Sequence, residues 1–362
     1  EIPRGRVSHA EKTYNPDGLG LLSKNAKMKK AQAGYKGKGV NPAKEPLVTP
    51  DGQGVETTGL SLYQAYEEPR FKVCPNSASC KDDCLGITAG LNYAYGGGAI
   101  KFGGGPEALK GPRLAHYLRT QAYIRDPEAV MTVLDDEVGR AFAGATERGN
   151  KLGVRLNVLS DIPPENYKAL MEKYPDVTFY DYSKLHGNKP IAPNHHMTYS
   201  STGVSQPEIG KVNKHQNWKH MTARMDEGHD ITMAFTTDPS EALPKFVHDK
   251  ASGKTYKVID GDIHDYRPAD KWGRAEGADG VVVGLRNKGL FKGEQAAKEN
   301  EGFFTYHEPG TDTVTISQQG KITTGILAGV TLGSAAFLAQ YPNFEDYNPE
   351  LGEELSEQNT VH

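Results

Sequence analysis

Cysteine is almost absent from this chain: Cys74, Cys80 and Cys84 are the whole supply in 362 residues, and they lie on one short stretch. An odd number of cysteines at such spacing makes a poor disulfide framework, so cross-links do not organise the fold. An apolar leader is missing from the opening EIPRGRVSHAEK, and the expectation is an intracellular, reducing setting. Positive charge is not in excess: the net charge of −4 excludes a uniformly basic nucleic-acid coat. Long uninterrupted helical repeats are missing as well. With 41 glycines and 22 prolines the chain turns too often for a helical bundle or coiled coil.

What charge there is sits unevenly. Residues 1–50 carry ten Lys/Arg against four acids, whereas residues 340–362 carry six acids and no Lys or Arg. We read residues 1–70 as a basic, extended arm, able to touch a nucleotide or nucleic acid, and residues 340–362 as an acidic tail. Between them the pattern becomes regular. Residues 113–149 read as one or two amphipathic helices, interrupted near Asp126-Pro127, and VRLNVLSD, VTFYDYSK, HMTYSST, ITMAFTT, YKVID and GVVVGLR read as strands. Several of these strands are apolar on both faces and alternate with helices. That combination predicts an α/β fold, a complete or partial (β/α) barrel over residues 71–290, with an extended N-terminal arm and a C-terminal extension.

The extension has two parts. Residues 291–321 read as a β-hairpin. The run 322–339, ITTGILAGVTLGSAAFLA, is uncharged and long enough as a helix to reach across a hydrocarbon core, with Gly325, Gly329 and Gly333 on one face. Membrane association through this run and homo-oligomer or virion contacts are therefore carried forward as expectations.

Polar residues gather where the predicted strands end. Asn157, Ser160 and Asp161 close the first, Asp181 and Lys184 the second, Ser200 the third, and Asp260 and Asp262 the fifth. In α/β barrels this C-terminal rim carries the chemistry. Asp161 and Asp181 facing each other would separate in pKa and act as acid and base, with Lys184 as a charged neighbour. Asn157, Ser160, Ser200, Asp260 and Asp262 are candidates for holding a cofactor or substrate. His195, His196, His215 and His220 lack the spacing of convergent ligands.

The sharpest motif is Cys74-Pro-Asn-Ser-Ala-Ser-Cys80-Lys-Asp-Asp-Cys84, a C-x5-C-x3-C cluster. Three thiolates on one loop can hold a 4Fe–4S cluster by three irons and leave the fourth open, or hold zinc with one position left for another ligand. The absence of a C-x2-C knuckle favours the cluster over structural zinc.

The cysteine motif, followed by RLNVLSDI (155–162), FYDYSK (179–184), VIDGDIHD (258–265) and VVGLRNKG (282–289), resembles the gene-product-88 family of bacteriophage proteins, from about Cys74 to Gly289. That resemblance implies a phage protein acting in the host cytoplasm or the virion, without assigning an activity. The layout is also similar to radical S-adenosylmethionine enzymes. There, three cysteines hold a 4Fe–4S cluster whose open iron chelates S-adenosylmethionine, and a radical formed from it abstracts hydrogen from substrate. This chain departs from that pattern in its longer gaps and in having Asp83, not an aromatic residue, before the last cysteine. The resemblance favours an enzyme; the alternative is a virion or assembly protein with a metal-stapled loop.

Overall fold

In the computed structural model the residues described are 20–30, 32, 47–63, 73–74, 109, 111–184, 187–204, 217–274, 280–288, 293, 296 and 303–317. Cys80, Cys84, His215, the run 322–339 and the acidic tail lie outside them.

Ten strands form one sheet. They are β1 (Leu22–Ser23), β2 (Gly54–Leu60), β3 (Asn150–Arg155), β4 (Thr178–Ser183), β5 (His195–Ser200), β6 (Ile231–Ala234), β7 (Phe246–Asp249), β8 (Thr255–Asp260), β9 (Val282–Leu285) and β10 (Thr313–Ile316). Their order is β1-β2-β3-β4-β5-β6-β9-β8-β7-β10. The block from β2 to β8 is parallel throughout; β1 and β7 run antiparallel to their inner neighbours, and β10 runs parallel to β7.

The helices are α1 (Ala26–Lys30), α2 (Gly111–Arg125), α3 (Pro127–Glu147), α4 (Lys168–Lys173) and α5 (Trp218–Asp226), with short 3-10 turns at Pro164–Tyr167 and Arg267–Lys271. Helix α3 starts where the sequence says it should. The Asp126 carboxylate accepts the Ala129 N–H at 2.9 Å, and Pro127 fills the first helical position. It stops at Gly149, whose φ of 72° suits only glycine without strain. Its buried stripe, Val130, Leu134, Val138 and Ala145, joins Leu152, Val154 and Phe179 from the sheet in one core cluster. Helix α5 does the same for the far half through Trp218, Met221 and Met225. Strands β2 to β6 follow one another across the sheet in chain order, all parallel.

The expected barrel does not close. Its two edge strands, β1 and β10, stand at opposite ends of an open sheet. The physical reason lies after β6: the chain steps outward to β7 and β8 and then returns, so that β9 inserts between β6 and β8 and the winding reverses. A barrel needs its strands to continue around in one sense.

Two further expectations are corrected. Residues 20–30 and 47–63, read as part of an extended arm, supply β1, α1 and β2 and are built into the sheet. Leu21 and Leu60 are buried in the main core cluster. Residues 303–317 are not a hairpin. Thr305 bridges in parallel to Phe235 beyond the end of β6, while β10 pairs with β7.

Candidate functional site at the rim of strands 3 and 4

The backbone ladder between β3 and β4 is short, with the pairs Gly153–Thr178 and Val154–Phe179. Beyond it the strands part, and side chains take over the hydrogen bonding. Asp181 Oδ1 accepts the Asn157 N–H at 2.7 Å. Asn157 in turn ties its own loop into a knot: its Oδ1 accepts Ser160 Oγ at 2.8 Å and the Ile162 N–H at 2.9 Å, and its Nδ2 donates to Ile162 O at 3.0 Å. The loop therefore presents Asp161 in a fixed place, beside the residue that follows β4. The Lys184 backbone N–H bonds to the Asp161 carboxylate, and the Lys184 charge acts on it.

The first cysteine arrives at this same loop. Val73 O accepts the Asp161 N–H at 2.6 Å, and the half-buried Cys74 Sγ donates to Leu159 O at 3.2 Å. Thus Cys74, Asn157, Ser160, Asp161, Asp181 and Lys184, scattered over more than a hundred residues of sequence, share one rim.

The electrostatics are those of an acid–base pair. Asp161 and Asp181 are 5% and 3% exposed. Burial raises Asp161 to about 6 against the pull of Lys184. Burial likewise raises Asp181 to about 7, against Arg155 and the Asn157 N–H, with the Asp161 charge adding to the rise. Burial is the main cause in both cases, and the Asp161 charge adds a smaller rise at Asp181.

Sequence reasoning missed Tyr167. Its ring is fully buried on the 3-10 turn before α4, and its hydroxyl has no hydrogen-bond partner. Burial raises its pKa, and Tyr123 and Asp181 add to the rise. Asp161 Oδ2 is likewise buried and unpartnered. Unmet polar atoms of this kind are uncommon in a folded interior and fit a place where a polar group is to be received.

The remaining candidates lie elsewhere. Ser200 is on the opposite face from Asp181: in the ladder, Asp181 pairs with Met197 and Ser183 with Tyr199, so Ser200 falls on the alternate side. Its carbonyl accepts Asn217 Nδ2 at 3.1 Å. Asp260 and Asp262 sit at the end of β8 in an ion-pair cluster. Arg286 Nη1 is 2.9 Å from both Asp260 oxygens, and Lys288 and Lys27 reach Asp262 Oδ1 at 2.8 and 3.4 Å. Burial opposes the charged form of Asp262, yet Lys27 and Lys288 hold it well below the usual carboxylate range. The Asp-Gly-Asp turn is tight because a Cβ on Gly261 would stand 2.5 Å from Val283 Cγ1. His195 and His196 point to opposite faces of β5, and burial lowers them to about 4 and about 3, so both are neutral.

Among the described residues no group of three His, Cys, Asp or Glu side chains is placed to hold a metal. Cys74 is the one member of the cysteine motif among them. No described helix is long and apolar enough to cross a membrane.

A model of the gene product 88 family matches residues 20–305. The chain belongs to this family. The match takes in more than three quarters of the sequence. It is wider than the Cys74–Gly289 stretch that carries the sequence motifs. The gene product 88 match starts just before β1 and ends at the Thr305 bridge, so it includes β2, which the sequence reading left in the arm. No curated protein and no solved structure matches the chain.

Proposed function

We propose that this gene product 88 protein is a phage iron–sulfur enzyme whose reaction centre is the rim of β3 and β4. Cys74, Cys80 and Cys84 are its cluster ligands, and Asp161 and Asp181 are its proton-handling pair. The observation that supports this reading is the tether of the cysteine segment to the carboxylate loop: Val73 O accepts the Asp161 N–H, which brings Cys74 beside Leu159. With its first residue anchored at this rim, the cysteine segment would hold its inorganic centre on the C-terminal side of the sheet. Three thiolates suit a 4Fe–4S cluster, which leaves one iron for a small molecule such as S-adenosylmethionine and supplies one-electron chemistry when bound.

The chain's own residues do the rest. Asn157 fixes the orientation of the Asp181 carboxylate. The pair Asp161/Asp181 accepts or delivers one proton near neutral pH, within reach of a substrate held at the rim. Tyr167 and Asp161 Oδ2 offer a donor and an acceptor to a polar substrate group. The setting proposed is the host cytoplasm or the virion.

Anaerobic purification tests the reading. Protein with the cluster is brown, absorbs near 400 nm, bleaches on reduction, and contains about four irons and four sulfides per chain. Cys80→Ser abolishes the colour without changing the far-ultraviolet spectrum. Zinc in place of iron, or collapse of the fold on losing the thiolate, overturns the enzyme in favour of an assembly protein with a stapled loop.

A further inference from the structure

At the far edge of the sheet one side of the strands is left uncovered among the described residues. In β7, β8 and β10 burial alternates strictly: Val247, Asp249, Tyr256, Val258, Val314 and Ile316 are buried, and Thr313, Phe246, Thr255 and Lys257 are exposed. The buried set packs toward α5, where Tyr256 meets Trp218 edge-on at 6.3 Å. The other set makes a solvent-facing sheet surface. Register places Phe246 directly between Thr313 and Lys257, and His248 between Thr315 and Thr255.

Phe246 is 40% exposed, which for a phenylalanine at the centre of three strands is a large apolar area left to water. Around it stand Lys245 and Lys257, with Arg286 paired to Asp260 beside them. The hairpin from Lys245 to Lys257 has four lysines against one aspartate, in a chain whose net charge is −4. Lys245, Phe246, Lys257, Asp260 and Arg286 line a groove of about 400 Å³ together with apolar residues such as Leu243. Lys245 is held by the exposed Asp312 at 2.9 Å, an ion pair that a phosphate can replace at little cost.

We infer that this surface binds single-stranded nucleic acid, with one base stacked on Phe246 and the backbone phosphates running past Lys245 and Lys257. An aromatic ring set in an open sheet and flanked by cations meets what a single strand offers, which is unpaired base faces and a regular line of negative charge. A duplex hides its base faces and has no use for the ring. The inference is independent of the chemistry proposed for the rim of β3 and β4.

The test is fluorescence anisotropy of a labelled oligothymidylate 15-mer with the full chain over a range of salt. Wild type binds the single strand more tightly than the matching duplex. Phe246→Thr, which keeps a strand-forming residue like its neighbour Thr313, weakens binding about tenfold, as expected for one lost stack. Lys257→Ala weakens it severalfold and lowers the log–log salt slope by about 0.7, as expected for one lost phosphate contact on a single strand. Three results overturn the inference: no binding of the 15-mer, equal or tighter binding of the duplex, or Phe246→Thr and Lys257→Ala both within twofold of wild type. The last would move the binding to the basic N-terminal residues. Unchanged melting temperatures show that the variants report on the surface and not on folding.

Discussion

Asp181 accepts the backbone N–H of Asn157 at the point where β3 and β4 part, so a carboxylate occupies the place where a strand carbonyl would otherwise continue the ladder. The charge that the ladder gives up is held in a dry site, close to Asp161 and beneath the loop that Cys74 grips. Central parallel strands separate at their C-terminal ends as their connections leave for the covering face. Here that opening is filled by ionisable groups rather than by apolar ones.

Stability should fall as pH rises through this pair. Asp161 and Asp181 have folded pKa values raised to about 6 and about 7. The unfolded carboxyls release their protons near pH 4, so between about pH 4 and pH 7 the folded chain binds more protons than the unfolded one. The pair's contribution is fully present below that window, is lost across it, and stays lost above it. In the double variant Asp161→Asn/Asp181→Asn that loss disappears, leaving the variant more stable than wild type at pH 8 by several kcal/mol. Urea unfolding of both proteins from pH 4 to pH 8 measures it; parallel stability–pH curves would show that the two acids do not carry raised pKa values.

Cys74 should report the link between loop and rim. Cys74→Ala removes, on the proposed function, one of three ligands, and in the metal-free chain the thiol's bond to Leu159 O. The expected outcome is loss of bound iron with a stability cost of only about 1 kcal/mol, the usual worth of one partly buried hydrogen bond. Iron quantitation and thermal melts check the two halves separately. Full iron loading in Cys74→Ala would remove this residue from the ligand set.

The start of β9 depends on an absent side chain. A Cβ on Gly280 would lie 1.8 Å from the His229 carbonyl oxygen and 2.8 Å from its carbon, and both are backbone atoms that cannot swing aside. The Gly280 N–H also bonds to Met225 O at 3.0 Å, fastening β9 to the end of α5. Gly280→Ala should therefore cost about 3 kcal/mol or more, the upper range for forced overpacking. A chemical-denaturation midpoint equal to wild type would refute the close approach.

Much of this architecture is legible in the sequence, and the exceptions have identifiable causes. The inner strands announce themselves because both of their faces are buried, as VRLNVLSD and GVVVGLR show. Strand β2 stays hidden because GVETTGL has few apolar residues. Its buried Thr57 and Thr58 are satisfied by hydrogen bonds to Met28 O and Ser23 O, which belong to a distant segment. Strand order is equally invisible: nothing local in VVGL tells that it inserts between β6 and β8. At the rim, Asp161 and Asp181 were readable as polar residues after apolar strands. Tyr167 was not, since a tyrosine on a helical turn looks like ordinary packing until its hydroxyl is found without a partner.

The last prediction concerns how the N-terminal residues are held. Glu137 on α3 accepts the N–H groups of Leu21, at 2.9 and 3.0 Å, and Leu22, at 2.7 Å, and Arg119 on α2 donates to Gly20 O at 2.8 Å. One carboxylate thus satisfies two consecutive backbone donors of an edge strand that pairs with β2 over only two residues. A ladder that short has little stability of its own, so the clamp carries it. Glu137→Ala leaves both donors without a partner and should cost about 1–3 kcal/mol. Because the loss falls on an edge segment, it should appear first as local opening rather than global unfolding. Hydrogen exchange at the Leu21 and Leu22 amides should speed up roughly tenfold or more while amides in β3 and β4 keep their protection. Glu137→Gln, with one remaining oxygen to accept from either donor, should fall between the two. Unchanged exchange at Leu21 and Leu22 in Glu137→Ala would show that β1 is held by its pairing with β2 alone.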